Sequence, residues 1–155
     1  MFPRPTYQNG VAGTIGNWRG NPDISMSAAV DGSALVFLDA EAAQGPAGFY
    51  LIGGTSEATP EFAGIVAVAD QVAGHGLGPI NPATYSMEAA HDAGILDVTG
   101  GTNTVTSPQG GSEHTVRGWD AVNGYDLSSG AGTIDAAQFV PELVAAVGGS
   151  PLIRA

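Results

Sequence analysis

Glycine and proline occur so often in this chain that several fold classes are excluded at once. The 155 residues include 24 Gly and 10 Pro, while charged residues make up 12% and hydrophobic residues 43%. This composition is typical of a turn-rich globular domain and not of a disordered chain. Low charge and frequent Gly exclude a coiled coil, and the lack of a three-residue Gly period excludes collagen. The length predicts one domain with a single core.

The charge balance is strongly acidic. Asp and Glu number 15 against 4 Lys and Arg, which gives a formal net charge of −11. Such a surface repels phosphate backbones and anionic lipid, so we expect no nucleic-acid partner. The absence of Cys excludes disulfides and thiolate metal sites. No run of 18 apolar residues occurs, so we expect no membrane span, and the first residues are not typical of a signal peptide.

Strands and helices alternate along the sequence, which predicts the α/β class. The apolar runs 34–39 and 49–52 predict two strands that could pair as a hairpin, with the first buried on both faces. The pattern from Pro60 to Gly74 predicts a buried helix that begins after an N-cap at Thr59. The remaining expectations are extended chain over 1–22, a helix over 82–90, a strand over 95–98, a long loop over 99–112 and a helix over 134–147.

Ser56 is the first candidate for chemistry, because it follows a Gly pair and precedes an apolar helix. Gly allows a sharp turn there, and the start of a helix supplies unpaired N–H groups and a positive dipole end. A Ser in that position can be exposed next to groups that stabilise an oxyanion. Local composition alone favours the simpler interpretation, in which Ser56 or Thr55 caps the helix.

The longer motif changes that balance. Residues 54–64 spell Gly-Thr-Ser-x-Ala-x-Pro-x-Phe-Ala-Gly, which resembles the serine motif of the subtilisin-like clan. Subtilisins and sedolisins, the serine-carboxyl peptidases, share this motif. The flanking segments 5–8, 19–25, 96–103 and 118–125 resemble sedolisin segments in order and rough spacing, so the resemblance is to sedolisins and covers about residues 5–147.

The resemblance implies the C-terminal portion of a subtilisin-like three-layer α/β fold with a parallel sheet. Within a single region 1–155 it places a serine segment at 49–74, a calcium-loop segment at 95–127 and a C-terminal helix at 134–147. It also implies a secreted serine-type endopeptidase acting on peptide or protein substrates, with Ser56 as the nucleophile. The family's Glu and Asp partners precede the matched region. We therefore expect this chain to be inactive alone and to need the N-terminal half of the same catalytic domain.

A calcium site is the second implication of the resemblance. Asp97 and Asp120 would supply carboxylates, and three backbone carbonyls would complete the protein ligands, those of Val98, Val116 and Gly118. Hard cations such as Ca²⁺ take six or more oxygen ligands, which suits this set with added water. The sequence departs from the family pattern at Val116 and Arg117 and again at Asp126. Two loop Asp residues that form turn hydrogen bonds are the simpler alternative.

Two other function classes remain open. The chain could be a stand-alone, non-catalytic α/β module that binds Ca²⁺ or a partner, with self-association through an exposed apolar face. It could also be a subtilisin-type hydrolase, but subtilisins place their Asp and His before the Ser. A triad from the three histidines, His75, His91 and His114, is formally possible and disfavoured for the same reason, because all three follow Ser56.

Overall fold

The computed structural model describes residues 1–29, 31–39 and 45–148. The chain divides into two compact units. Unit 1 comprises Met1–Ser25 and Val68–Ala155, and unit 2 comprises Met26–Ala67. The predicted single region 1–155 therefore extends beyond the described residues and contains two units. Gln44, part of the predicted turn between the first two strands, also lies outside the described residues.

Unit 2 contains the predicted hairpin. Strands β1 (Ala34–Leu38) and β2 (Gly48–Ile52) pair antiparallel, with Ala34 opposite Ile52 and Phe37 opposite Phe49. Side chains alternate between a half-buried inner face and an exposed outer face, as the two-residue period of a strand requires. The expectation that the first strand is buried on both faces is wrong. We call the exposed side the apolar hairpin face; its residues are Leu35, Phe37, Phe49 and Leu51.

Helix α2 (Thr55–Ala73) follows the hairpin directly. The expected start after Thr59 is wrong, because Pro60 lies inside the helix instead of at its first position. Pro60 cannot donate to the carbonyl of Ser56, four residues earlier, and its ring crowds that carbonyl, so it weakens the start of the helix without ending it. The expected complete burial is also wrong, since Val68 is 49% exposed. An apolar sequence does not ensure burial where no described residue covers the face.

Unit 1 is mainly helical. It contains a 3-10 helix (Thr6–Val11) and five further elements outside the loop region: α1 (Ala12–Ile15), α3 (Asn81–Ala90), β3 (Ile95–Leu96), β6 (Thr133–Ile134) and α4 (Ala136–Ala146). The predicted helices near 82–90 and 134–147 are confirmed. The expectation of extended chain over 1–22 is wrong, because the first 22 residues contain two short helices.

The expected long loop over 99–112 is wrong as well. Strands β4 (Val105–Gln109) and β5 (Ser112–Val116) form an antiparallel hairpin there, with Gly110 and Gly111 as its two-residue turn. Both glycines have positive φ, +59° and +83°. Such a turn matches the twist of the strands it joins and favours Gly at both positions. The Gly-Gly pair between Thr- and Val-containing segments was the sequence signal for this hairpin.

A half-buried polar network centred on Asp23 lies in unit 1. Its Oδ1 accepts a hydrogen bond of 2.8 Å from the Tyr85 hydroxyl, and its Oδ2 accepts one of 3.0 Å from Asn81 Nδ2. Arg19 forms an ion pair with the same Oδ2 at 2.5 Å. Burial raises the pKa of the Tyr85 hydroxyl well above its ordinary value. Because its partners satisfy both oxygens, Asp23 has a structural role in unit 1.

The α/β class is confirmed by this mix of helices and strands. Every strand pair among the described residues is antiparallel, so the parallel sheet of the predicted fold does not arise from pairs within this part of the chain. Parallel strands need a long crossover connection, whereas the connections from β1 to β2 and from β4 to β5 are short. Within the described residues, no helix is both long and apolar enough to cross a membrane.

Candidate active site

Ser56 is the second residue of α2, and its side chain is exposed. Gly54 precedes the helix with φ +81°, a conformation that other residues rarely adopt. The Gly54 carbonyl accepts a hydrogen bond of 3.0 Å from the Glu57 N–H, and the Gly54 N–H donates one of 2.6 Å to the Ala28 carbonyl. The turn that presents Ser56 is thus fixed from both sides. The hydroxyl lies beside the positive end of a 19-residue helix.

A cavity of about 320 Å³ adjoins Ser56 within unit 2. Four apolar residues form most of its wall, together with Ser56 and two acidic side chains: Ala34, Val36, Ile52, Pro60, Glu57 and Glu61. The wall combines the inner face of the hairpin with the first two turns of α2. A serine hydroxyl and two carboxyl groups therefore share one mostly apolar cavity.

Glu57 is the unusual residue of this cavity. Its side chain belongs to a residue that is only 4% exposed, and its Oε2 atom is buried with no hydrogen-bond partner among the described residues. A buried carboxylate without a partner is costly, because the charge has lost its water. Adjacent residues on a helix do not face each other, so Glu57 is poorly oriented to accept the proton of Ser56.

The predicted calcium ligands lie in unit 1. Asp97 follows β3 and is exposed, and its Oδ2 accepts a hydrogen bond of 2.8 Å from the Gly124 N–H. It lines a cavity of about 240 Å³ together with Glu88, His91 and Asn123. Burial raises the pKa of Glu88, and the nearby Asp97 carboxylate adds to that effect. Val98, the neighbour of Asp97, is half-buried.

Asp120, the other predicted carboxylate ligand, is exposed and pairs with Thr102 in an isolated antiparallel bridge. Val116 ends β5, and the Gly118 N–H donates to Thr104 Oγ1 at 3.0 Å. Among the described residues, no group of three His, Cys, Asp or Glu is placed to hold a metal ion. The predicted set has only two carboxylates and depends on carbonyl oxygens, a mixture that Ca²⁺ accepts.

Asp126 departs from the family pattern, and the structure shows what it does. It is 3% exposed, and its carboxylate accepts hydrogen bonds from the N–H groups of Val122, Ser128 and Ser129 and from the Ser129 hydroxyl. Burial opposes the charge, but these donors outweigh burial and lower the pKa of Asp126. The carboxylate closes the turn in which Asp126 pairs with Gly130.

Comparison with known proteins identifies relatives that are similar to this chain in sequence and in structure. The chain is 33% identical over 135 residues to sedolisin from Pseudomonas sp. (strain 101) and 29% identical over 141 residues to kumamolisin from Bacillus sp. (strain MN-32). These matches cover 87% and 86% of the chain but 20% and 22% of the relatives. A structure of Pseudomonas sedolisin, a serine-carboxyl proteinase complexed with two molecules of pseudo-iodotyrostatin, aligns over 93% of this chain and 34% of its own at TM-score 0.73 and 29% identity.

The chain matches a segment of the sedolisin family. The resemblance deduced from the motifs is therefore confirmed, as is the subtilisin-like α/β fold that it implied. No protein-family model matches the chain. The sedolisin-like segment spans about a fifth of the length of the curated relatives it matches.

Two residues of this sedolisin-like segment were not predicted to matter. The position of Glu57 in the cavity was not predicted from the sequence, in which Asp126 was only a departure from the family pattern. The signal for Asp126 was the Asp-x-Ser-Ser run at 126–129, since Asp commonly accepts hydrogen bonds from N–H groups two and three residues later. For Glu57 no local signal existed, because its burial depends on how the hairpin and α2 pack.

Proposed function

We propose that this chain is the nucleophile-bearing part of a sedolisin-type serine peptidase. The observation that carries the proposal is the placement of Ser56, exposed in the first turn of a long helix and fixed by Gly54, within a segment that matches sedolisin. In this proposal the Ser56 Oγ attacks the carbonyl carbon of a peptide bond. A base takes its proton, the amine leaves, and water then hydrolyses the acyl-enzyme.

The start of α2 supports a role in stabilising the oxyanion. The first backbone N–H groups of a helix have no partner within it, and the helix dipole adds partial positive charge. Negative charge that develops on the carbonyl oxygen next to Ser56 would meet both effects. A serine that merely capped the helix would turn its hydroxyl back onto these groups. Within the described part of unit 2, the Ser56 hydroxyl forms no such hydrogen bond.

The general base is proposed to come from outside this segment. No hydrogen bond joins the Ser56 hydroxyl to a base among the described residues of unit 2, and Glu57, its neighbour on the helix, is poorly oriented to accept its proton. We therefore propose that the chain alone hydrolyses nothing. Its proposed partner is the N-terminal half of a sedolisin-like catalytic domain, which would supply the Glu and Asp.

The apolar hairpin face supports that partner. Phe37 is 60% exposed and Phe49 is 69% exposed, and their rings are in edge-to-face contact with centroids 5.3 Å apart. A two-stranded hairpin is only marginally stable alone, and its apolar face favours contact with another surface. An extracellular location is part of the same proposal and rests on the family likeness.

A complementation experiment tests the proposed nucleophile. The chain is mixed with the part of Pseudomonas sedolisin that the chain does not match, and casein hydrolysis is followed from pH 3 to pH 7. We expect no turnover by the chain alone and turnover by the mixture. Ser56→Ala should abolish turnover, whereas Ser86→Ala on α3, another exposed serine, should leave it intact. Turnover that survives Ser56→Ala would contradict the proposal.

We also propose one Ca²⁺ site, with carboxylates from Asp97 and Asp120 and carbonyls from Val98, Val116 and Gly118. Its support is the exposed position of both carboxylates and the preference of Ca²⁺ for mixed oxygen ligands. Bound Ca²⁺ would stabilise the fold by mass action, so Ca²⁺ should raise the melting temperature and EDTA should lower it. Asp120→Ala should remove the response and Asp31→Ala should retain it. An unchanged melting temperature in Ca²⁺ and in EDTA would exclude the site.

A further inference from the structure

The cavity beside Ser56 has acidic side chains in its wall without a basic side chain to balance them. Among the described residues, its wall carries two acidic side chains and no basic one, and the rest is Ala34, Val36, Ile52 and Pro60 besides Ser56 itself. Glu57 and Glu61 are four residues apart on α2, so their side chains lie on the same side of the helix. Like charges at this spacing destabilise a helix slightly, and nothing in the wall offsets them.

Glu57 supplies a second and independent observation. Its residue is 96% buried, given its 4% exposure, and Oε2 has no hydrogen-bond partner among the described residues. Buried polar groups are nearly always paired with protein, water or ligand, so an exception needs an explanation. By contrast, the Asp126 carboxylate is buried to a similar extent and accepts hydrogen bonds from four donor groups. A donor or a cation that enters the cavity would supply the partner that Glu57 Oε2 lacks among the described residues.

The apolar wall decides what kind of cation fits. A hard cation such as Ca²⁺ takes six or more oxygen ligands, and the four apolar wall residues offer no side-chain oxygen. Lysine and arginine side chains instead join a hydrocarbon stem to a charged end. The hydrocarbon stem can pack against Val36, Ile52 and Pro60, and the charged end can form an ion pair with a carboxylate.

We propose that this cavity binds a lysine or arginine side chain of a peptide, with Glu57 as its buried counter-charge and Glu61 as a second, more exposed carboxylate. The inference deepens the proposed peptidase function, because Ser56 lines the same cavity. A peptide held here by a basic side chain has its backbone beside the proposed nucleophile. The cavity would then select substrates with a basic residue close to the cleaved bond.

Binding of two matched probes tests this without any catalysis. The probes are N-acetyl-lysine amide and N-acetyl-norleucine amide, which share the hydrocarbon stem and differ in the ammonium group. Their dissociation constants for the full chain are measured by NMR titration at pH 7. We expect the lysine probe to bind about tenfold more tightly, since a charge-assisted contact with a buried carboxylate is stronger than an apolar one.

Three variants locate the contact. Glu57→Gln keeps the shape and removes the charge, so it should weaken the lysine probe about tenfold and leave the norleucine probe unchanged. Glu61→Gln should weaken the lysine probe only about threefold, because an exposed ion pair contributes less. Glu113→Gln on β5 is the matched control and should change neither constant. The circular dichroism spectrum of each variant establishes that it is folded.

The outcomes separate this inference from the peptidase proposal. Ser56→Ala should retain the preference for the lysine probe, whether or not Ser56 is a nucleophile. Equal affinity for the two probes, no binding of either, or an unchanged preference in folded Glu57→Gln would overturn the basic-side-chain site. If the preference holds and the complementation assay fails, only the peptidase proposal is lost.

Discussion

Two buried carboxylates in this molecule contrast in almost every respect except their burial. Asp126 in unit 1 is 3% exposed, and Glu57 in unit 2 is 4% exposed. Asp126 accepts three backbone hydrogen bonds and one from a hydroxyl, whereas one oxygen of Glu57 has no partner among the described residues.

This difference separates a structural acid from a functional candidate. A carboxylate surrounded by N–H donors stabilises the turn that contains it, and it is needed whatever the protein binds. A carboxylate buried without donors destabilises the fold, and binding of a cation compensates for that cost. Burial alone therefore does not identify a site; the balance of donors and acceptors around the group does.

The largest expected effect is the loss of the Asp126 carboxylate. Asp126→Ala should lower the free energy of unfolding by about 3 kcal/mol, because several N–H groups lose their acceptor inside the fold. Urea denaturation measures the change. Glu113→Ala on the exposed strand β5 is the control and should stay within about 0.5 kcal/mol of the parent. If Asp126→Ala changed the free energy of unfolding by no more than the control does, Asp126 would not be the structural carboxylate described above.

Removal of the Glu57 carboxylate should change the free energy of unfolding in the opposite direction. Glu57→Leu replaces an unpartnered buried charge by an apolar side chain of similar length, so it should raise the free energy of unfolding by about 1–2 kcal/mol. The same urea experiment serves, with Glu61→Leu as the comparison on the same helix. A destabilised Glu57→Leu variant would mean that Glu57 already has a compensating partner.

The pH dependence of Asp126 sharpens the contrast further. Its pKa is lowered in the folded state, so the stability it contributes is present above the unfolded pKa of about 3.9 and is lost as pH falls through the folded value. The difference in unfolding free energy between the parent and Asp126→Asn should therefore narrow from pH 6 to pH 3. Acid titration by circular dichroism follows it. A constant difference across this range would show that the charge of Asp126 does not contribute.

The smallest expected effect concerns the apolar hairpin face. A net charge of −11 opposes association at neutral pH, so self-association should increase as pH falls toward the isoelectric point near 4.2. Sedimentation at pH 7 and pH 4.5 measures it. Phe37→Ser should reduce association at pH 4.5, and Thr106→Ser on the other hairpin should not. Equal association of the parent and Phe37→Ser would place the contact elsewhere.

The sequence alone determined the features that depend on neighbours along the chain. The serine motif at 54–64, the helix near 82–90 and the helix near 134–147 follow from local patterns, since turns and caps involve residues a few positions apart. The family likeness was also readable, because motif order does not require a fold. The Gly-Gly hairpin over 105–116 was equally local, and the signal was present although the prediction there was a loop.

Tertiary structure decided what depends on distant partners. The start of α2 at Thr55 rather than after Thr59 reflects a helix that tolerates Pro60. Exposure of the apolar hairpin face and burial of Glu57 both depend on which surfaces meet, and hydropathy does not encode that. Nothing in the sequence distinguishes Glu57 from other residues of the helix. Packing of α2 against the inner face of the hairpin shields its side chain from water. Solvation of a charge is a property of its three-dimensional surroundings, so only the folded chain could show that Glu57 Oε2 has no hydrogen-bond partner among the described residues.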